Sequence, residues 1–195
     1  MRIFDIFRKR KLHQPAKSNE TFNRITIFYH EDDFCQIEIL PGDNFINLKV
    51  ESQIIRTLAK ENFDGTGFTD IHVRDDKSRT NLNQLQIKPE DVDNIFKLLG
   101  TDRISNVITG YGQTYRIPHE NCIAFGKDYN AIYYDFKDNI VQHIWLTNPK
   151  NINRTELIEC LYELGNNWNL LLQDWNRTIS VDLRNKQEIN NYLQS

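Results

Sequence analysis

Four potential metal ligands stand side by side at His30-Glu31-Asp32-Asp33. Consecutive residues rarely aim at one centre, and the helical His-Glu-x-x-His spacing is absent. A second acidic group, Asp64, Asp70, Asp75 and Asp76, fits no calcium-loop pattern. Both groups read as solvated carboxylates, and no metal or cofactor is expected. Gly65-Thr66-Gly67 and Gly110-Tyr111-Gly112 each carry GxG, but Asp70 and Tyr115 stand where a phosphate-binding loop needs its third glycine. Both segments are expected to be turns. His119 precedes Cys122, and His30 precedes Cys35, without an elbow or oxyanion-hole pattern around either pair. Each cysteine has apolar neighbours (Phe34, Ile37, Ile123, Leu161), which predicts buried, inert thiols. His143 lies in an apolar run where alternation places Val141 and Trp145 on its face, so a packed structural histidine is expected.

The elements that would position these groups follow from periodicity. Arg24–His30 and Phe34–Leu40 read as strands flanking the polar link Glu31-Asp32-Asp33, a hairpin candidate stopped by Pro41-Gly42. Residues 47–62 change to helical spacing, with Val50, Ile54 and Leu58 on one stripe and Ile55 beside it. Thr69–Val73 is a short strand candidate. Pro89 opens a second helix that turns Val92, Ile95, Phe96 and Leu99 inward and stops at Gly100. Strands are expected at Thr114–Ile117, Cys122–Phe125, Ala131–Phe136 and Ile140–Leu146, the last two joined through Lys137-Asp138-Asn139. Asn153 is placed to cap a third helix, with Gly165 as its stop. Leu170–Trp175 and Thr178–Leu183 read as strands, with Trp168 and Trp175 either in the core or as interface anchors. Residues Lys186–Leu193 read as a closing helix. Helices do not alternate regularly with strands. The expected class is α+β, an antiparallel or mixed sheet with helices packed mainly on one face.

Charge divides the chain unevenly. The first 17 residues hold six basic side chains (Arg2, Arg8, Lys9, Arg10, Lys11, Lys17) and only Asp5 as an acid, whereas the rest holds 18 basic and 26 acidic ones. Residues 1–20 are therefore expected to be a basic amphipathic appendage on a single domain of residues 21–195. Ile3, Phe4, Ile6 and Phe7 followed by Arg8-Lys9-Arg10-Lys11 could rest on a membrane through residues 1–11, though stable attachment usually needs a second anchoring signal. A solvated or docked tail is the simpler expectation. An acidic body repels nucleic acid and anionic membrane and attracts basic proteins, so no nucleic-acid partner is expected. Three cysteines far apart suggest no disulfide framework and suit a reducing compartment, the cytoplasm.

The opening MRIFDIFRKRK and the segment Glu156–Leu193 resemble small bacterial immunity proteins encoded beside polymorphic toxins. The resemblance implies a protein that binds a toxin domain of a contact-dependent, type VI or Rhs-type system and occludes its active site. Many such toxins are basic nucleases, which an acidic partner meets with electrostatic steering. The expected activity is thus binding without catalysis, through Glu31, Asp32 and Asp33 together with Asp64, Asp70, Asp75 and Asp76. The alternatives are a small hydrolytic enzyme using carboxylates and His119 or His143, or a membrane-associated adaptor. The hydrolase requires a cavity where a carboxylate and a histidine converge.

Overall fold

The computed structural model describes residues 25–67, 69–70, 72–74, 78–112 and 114–195. The expected appendage, residues 1–20, and the candidate contacts Asp75 and Asp76 lie outside the described residues. The described chain is α+β. Strands β1 (Thr26–His30), β2 (Ile37–Pro41), β3 (Arg103–Ile104), β4 (Asn106–Tyr111), β5 (Tyr115–Pro118), β6 (Cys122–Lys127), β7 (Asn130–Lys137), β8 (Ile140–Thr147), β9 (Leu170–Asp174) and β10 (Ile179–Asp182) are joined by helices α1 (Phe45–Glu61), α2 (Pro89–Phe96), α3 (Arg154–Trp168) and α4 (Lys186–Gln194). A seven-stranded antiparallel sheet runs β10-β9-β2-β8-β7-β6-β3, and a small mixed sheet runs β1-β4-β5.

One face of the large sheet is apolar. Ile132, Tyr134, Ile144, Leu146 and Leu172 pack there against α2, α3 and α4 through Phe96, Leu161, Leu164 and Ile189. The opposite face is shared. The small sheet covers β6–β8 through Ile27, Tyr29 and Val107 on Tyr133 and Trp145. Helix α1 covers β2 and β9 through Leu48 and Ile55 on Leu40, Leu171 and Trp175. Three of the four helices thus share one face.

Several local expectations hold. Pro89 opens α2, and the chain stops at Gly100 in a left-handed turn. Asn153 caps α3 by accepting the Thr155 N–H. The β7–β8 connection turns at Asp138 and Asn139, both with positive φ, as a tight hairpin requires. All three cysteines are buried, and burial pushes the Cys122 and Cys160 thiols far up.

Three local expectations fail, and α1 adds a face that periodicity alone did not orient. The first two strands form no hairpin. β1 pairs in parallel with β4, while β2 lies between β9 and β8 in the other sheet. The link through Glu31–Asp33 steps between layers, anchored by Phe34 against Tyr29 and Trp145 and by Cys35 in a left-handed conformation. None of the described residues of Thr69–Val73 lies in a strand: the Thr69 N–H bonds the Asn62 carbonyl, His72 bonds Glu51, and Arg74 donates to the Cys35 carbonyl. Helix α3 runs past Gly165 to Trp168 and ends at left-handed Asn169. Gly165 sits where α3 meets the Leu183 backbone, with no room for a Cβ. Finally, α1 turns Leu48 and Ser52 inward and leaves Val50 and Ile54 exposed. It rests on a polar part of the sheet, where Gln173 donates to Ser52 and accepts from Ser180.

Candidate functional site

The predicted acidic link is a single 3₁₀ turn, Glu31–Asp33, capped by His30, whose Nδ1 accepts the Asp32 N–H at 3.3 Å. It stands beside the end of β4. Tyr111 donates its hydroxyl to Asp32 Oδ1 at 3.2 Å, and its ring meets His30 edge-on at 4.9 Å. The Glu31 and Asp32 carboxylates raise the Tyr111 pKa, which favours the protonated donor form. Asp33 is half-buried, and desolvation raises its pKa against the opposing pull of His30. Tyr111 and the facing Tyr115 remain exposed. The rim therefore combines carboxylates with tyrosines, a residue type enriched among interface hot spots.

The second acidic group is not part of this rim. Asp64 closes its own turn, accepting from the backbone N–H groups of Thr66 and Gly67 and from the Thr66 hydroxyl. Those bonds lower its pKa. Asp70 lies exposed further along the same loop. Glu31–Asp33 and Asp64/Asp70 thus belong to different elements, the turn between the sheets and the loop after α1. Gly65-Thr66-Gly67 is this Asx turn and Gly110-Tyr111-Gly112 ends β4, so neither opens a helix.

A cavity of about 420 Å³ opens beneath the link, lined by Phe34, Cys35, Glu38, Arg74, Arg79 and His143 among others. Its floor is an ion network. Trp175 Nε1 donates to Glu38 Oε1 at 2.6 Å, and Arg74 and Arg79 each approach that oxygen to 3.6 Å. Arg79 is almost wholly buried, stacks 4.7 Å over the Trp175 ring and bonds Glu51 at 2.5 Å. Glu51 also meets His72 at 3.0 Å. Burial would raise the Glu51 pKa, but the bonds from His72 and Arg79 outweigh it and lower it.

On one side of the cavity, Asp135 is bracketed by two histidines. His143 Nδ1 lies 2.9 Å from Oδ1, His119 Nε2 lies 3.4 Å from Oδ2, and Tyr29 Oη lies 2.7 Å from His119 Nδ1. One proton arrangement satisfies the whole chain: Tyr29 donates to His119, and both histidines donate to Asp135. Burial pushes the Asp135 carboxyl up, yet the two histidines prevail and bring it down to about 2. The expectation of a packed His143 is corrected here. A bulge between Asp135 and Phe136 shifts the β7–β8 register, so Val141 faces the helices while Trp145 faces the small sheet. His143 is half-exposed instead and bonds across the strands.

No family model, curated protein or solved structure matches the chain.

Asp135, Glu38 and the two arginines were not singled out by sequence. Counting back from the tight turn at 138–139 aligns Asp135 with Gln142, one residue short of His143; the unforeseen bulge makes the pair. The arginines left no signal, because their partners, Glu38 on β2, Glu51 on α1 and Trp175 just after β9, are far away in sequence. Chemically, His143 can accept a proton at the cavity wall while Asp135 orients its ring. Glu38 Oε1 is already engaged by the Trp175 indole N–H and faces two guanidinium groups. Cys35 packs in the apolar cluster between the sheets.

Proposed function

We propose that this is a binding protein of the cytoplasm that neutralises a basic toxin domain, as the immunity proteins it resembles do, by seating the Glu31–Asp33 rim over the toxin's active site. The observation that carries the reading is the pairing of Asp32 with Tyr111 on an ordered turn. Fixed carboxylates beside exposed tyrosines give a cationic partner both steering and contact area. Loss of ordering entropy on binding is small for a turn already held by its cap and by Tyr111. Asp64 and Asp70 contribute long-range attraction in this reading rather than contact, and Asp75 and Asp76 add to the acidic charge of the same sequence segment. The test is co-purification with the toxin domain encoded beside this chain, followed by titration of Asp32→Lys/Tyr111→Ala. The double variant is expected to bind at least about tenfold more weakly at low salt. Unchanged affinity removes the rim from the interface.

A second reading rests on the Asp135–His143 pair beside the cavity, the convergence required of a hydrolase. In it, His143 takes a proton from water and Asp135 orients the imidazole. It predicts turnover of an ester or phosphodiester that His143→Ala abolishes and the rim variant leaves intact. Retained toxin neutralisation by His143→Ala decides for the binder.

A further inference from the structure

Helix α1 carries a second apolar stripe on its outer face, besides the Leu48 and Ile55 that it packs on the sheet. A surface helix normally turns its apolar stripe to the core and its charges to water. Here Ile46 is 73% exposed, Val50 57% and Ile54 45%. Their spacing of four residues sets them in one line about 12 Å long on the side away from the sheet. Phe45 is exposed at the start of this line, and Phe63 lies exposed just beyond the helix. Val73, also exposed, follows His72, which is bonded to Glu51 of the helix.

The charges around the strip are ordered too. Lys49, Arg56 and Lys60 recur at helical spacing along one flank, all exposed. Lys49 lies 4.4 Å over the Phe45 ring, and Arg56 is braced by Thr178 through Nε at 2.7 Å. On the other flank, Glu51 is committed to Arg79 and His72. Glu61 closes the strip at its C-terminal end, and Asp43 stands exposed three residues before Ile46.

Three occupants could cover such a face. The chain's own first 17 residues, apolar at Ile3, Phe4, Ile6 and Phe7, carry six basic groups against one acid, so they meet a flank of their own sign. A second copy would bring two basic flanks together. An anionic lipid surface satisfies both the apolar strip and its cationic border, and it suits the basic N-terminal sequence equally. We propose that the outer face of α1 docks on anionic lipid headgroups, with Ile46, Val50 and Ile54 entering the interface and Lys49, Arg56 and Lys60 facing phosphate. This supplies the second anchoring signal that one short basic segment lacks. It is independent of the toxin-binding reading.

The test is co-sedimentation of the full chain with phosphatidylcholine vesicles, with and without phosphatidylglycerol. Binding is expected only with the anionic lipid and is expected to weaken with salt. Ile46→Ser/Val50→Ser/Ile54→Ser should lower partitioning at least about tenfold while keeping the thermal midpoint, since these side chains are exposed. Lys49→Glu/Lys60→Glu should lower it by about tenfold or more without touching the apolar strip. Absence of wild-type binding to anionic vesicles overturns the proposal, as does undiminished binding by either variant. A wild-type dimer that the triple-serine variant abolishes also overturns it and assigns the face to a second copy.

Discussion

On the helical face of the large sheet, Ile132, Tyr134, Ile144 and Leu146 meet Phe96, Leu161 and Leu164 in a continuous apolar cluster. On the opposite face the same strands present Tyr133, Trp145, Glu38 and Gln173, covered by a small sheet at one end and a helix at the other. Burial is comparable on the two sides, but the means of holding differ. The helical side is held chiefly by volume, which is non-directional, with Tyr134 donating to Asp93 and Tyr192 to Asp174. The other side adds to its two apolar clusters a set of directed contacts, Trp175 to Glu38, Arg79 to Glu51 and two histidines to Asp135, each needing one geometry. Directed contacts fix where charges stand. The cavity, the histidine pair and the acidic rim all lie on that side.

The contrast predicts a graded response to substitution. Phe96→Ala, which empties a site against Phe125 and Tyr134, should cost about 4 kcal/mol of unfolding free energy, whatever the pH. Arg79→Ala should cost about 3 kcal/mol, because Glu38 and Glu51 lose a buried counter-charge. Its cost should shrink in acid, where the carboxylates protonate. Denaturant melts at neutral and acid pH check both. A pH-independent Arg79 effect would mean that this side too is held by packing alone.

Asp135→Asn comes next, and its pH dependence carries a definite sign. The folded carboxyl titrates at about 2, below the unfolded value of about 3.9. Its contribution, about 2 kcal/mol, is therefore complete above about pH 4 and fades as the pH falls through about 2. Wild type and Asp135→Asn should converge in stability at the acid end. Parallel curves would show that the histidines do not stabilise the charge.

The same contrast explains what could be read from the sequence. Elements held by volume announce themselves through periodicity: Val92, Ile95 and Phe96 on α2, and Leu157, Leu161 and Leu164 on α3, stood out at helical spacing and are buried together. Elements held by directed contacts did not. Helix α1 has an apolar stripe at Val50, Ile54 and Leu58, but it turns Leu48 and Ser52 to the sheet, with Glu51 reaching Arg79 and His72. The β1–β2 hairpin failed for a related reason. Both strands stand where their β-branched and aromatic residues place them, yet parallel pairing of β1 with β4, some 80 residues away, has no local signature. Of the candidate site, the carboxylates Glu31, Asp32 and Asp33 were legible as a charge run. Their tyrosine neighbour was not, because Tyr111 reaches Asp32 across the small sheet.

The smallest expected effect lies at the rim and has the opposite sign from the others. Asp33 is partly desolvated, and its folded pKa is raised above the ordinary carboxylate value. Its ionised form therefore opposes folding. Asp33→Asn should leave stability unchanged or raise the thermal midpoint slightly at pH 7, and the gain should vanish as the pH falls below about 4, where the acid is neutral in both states. If the rim is the toxin contact, the same substitution should weaken partner binding while strengthening the fold, a separation that no residue of the apolar face can produce. A variant that melts earlier than wild type at neutral pH would place Asp33 among the structural ion pairs and erase the distinction between the rim and the network beneath it.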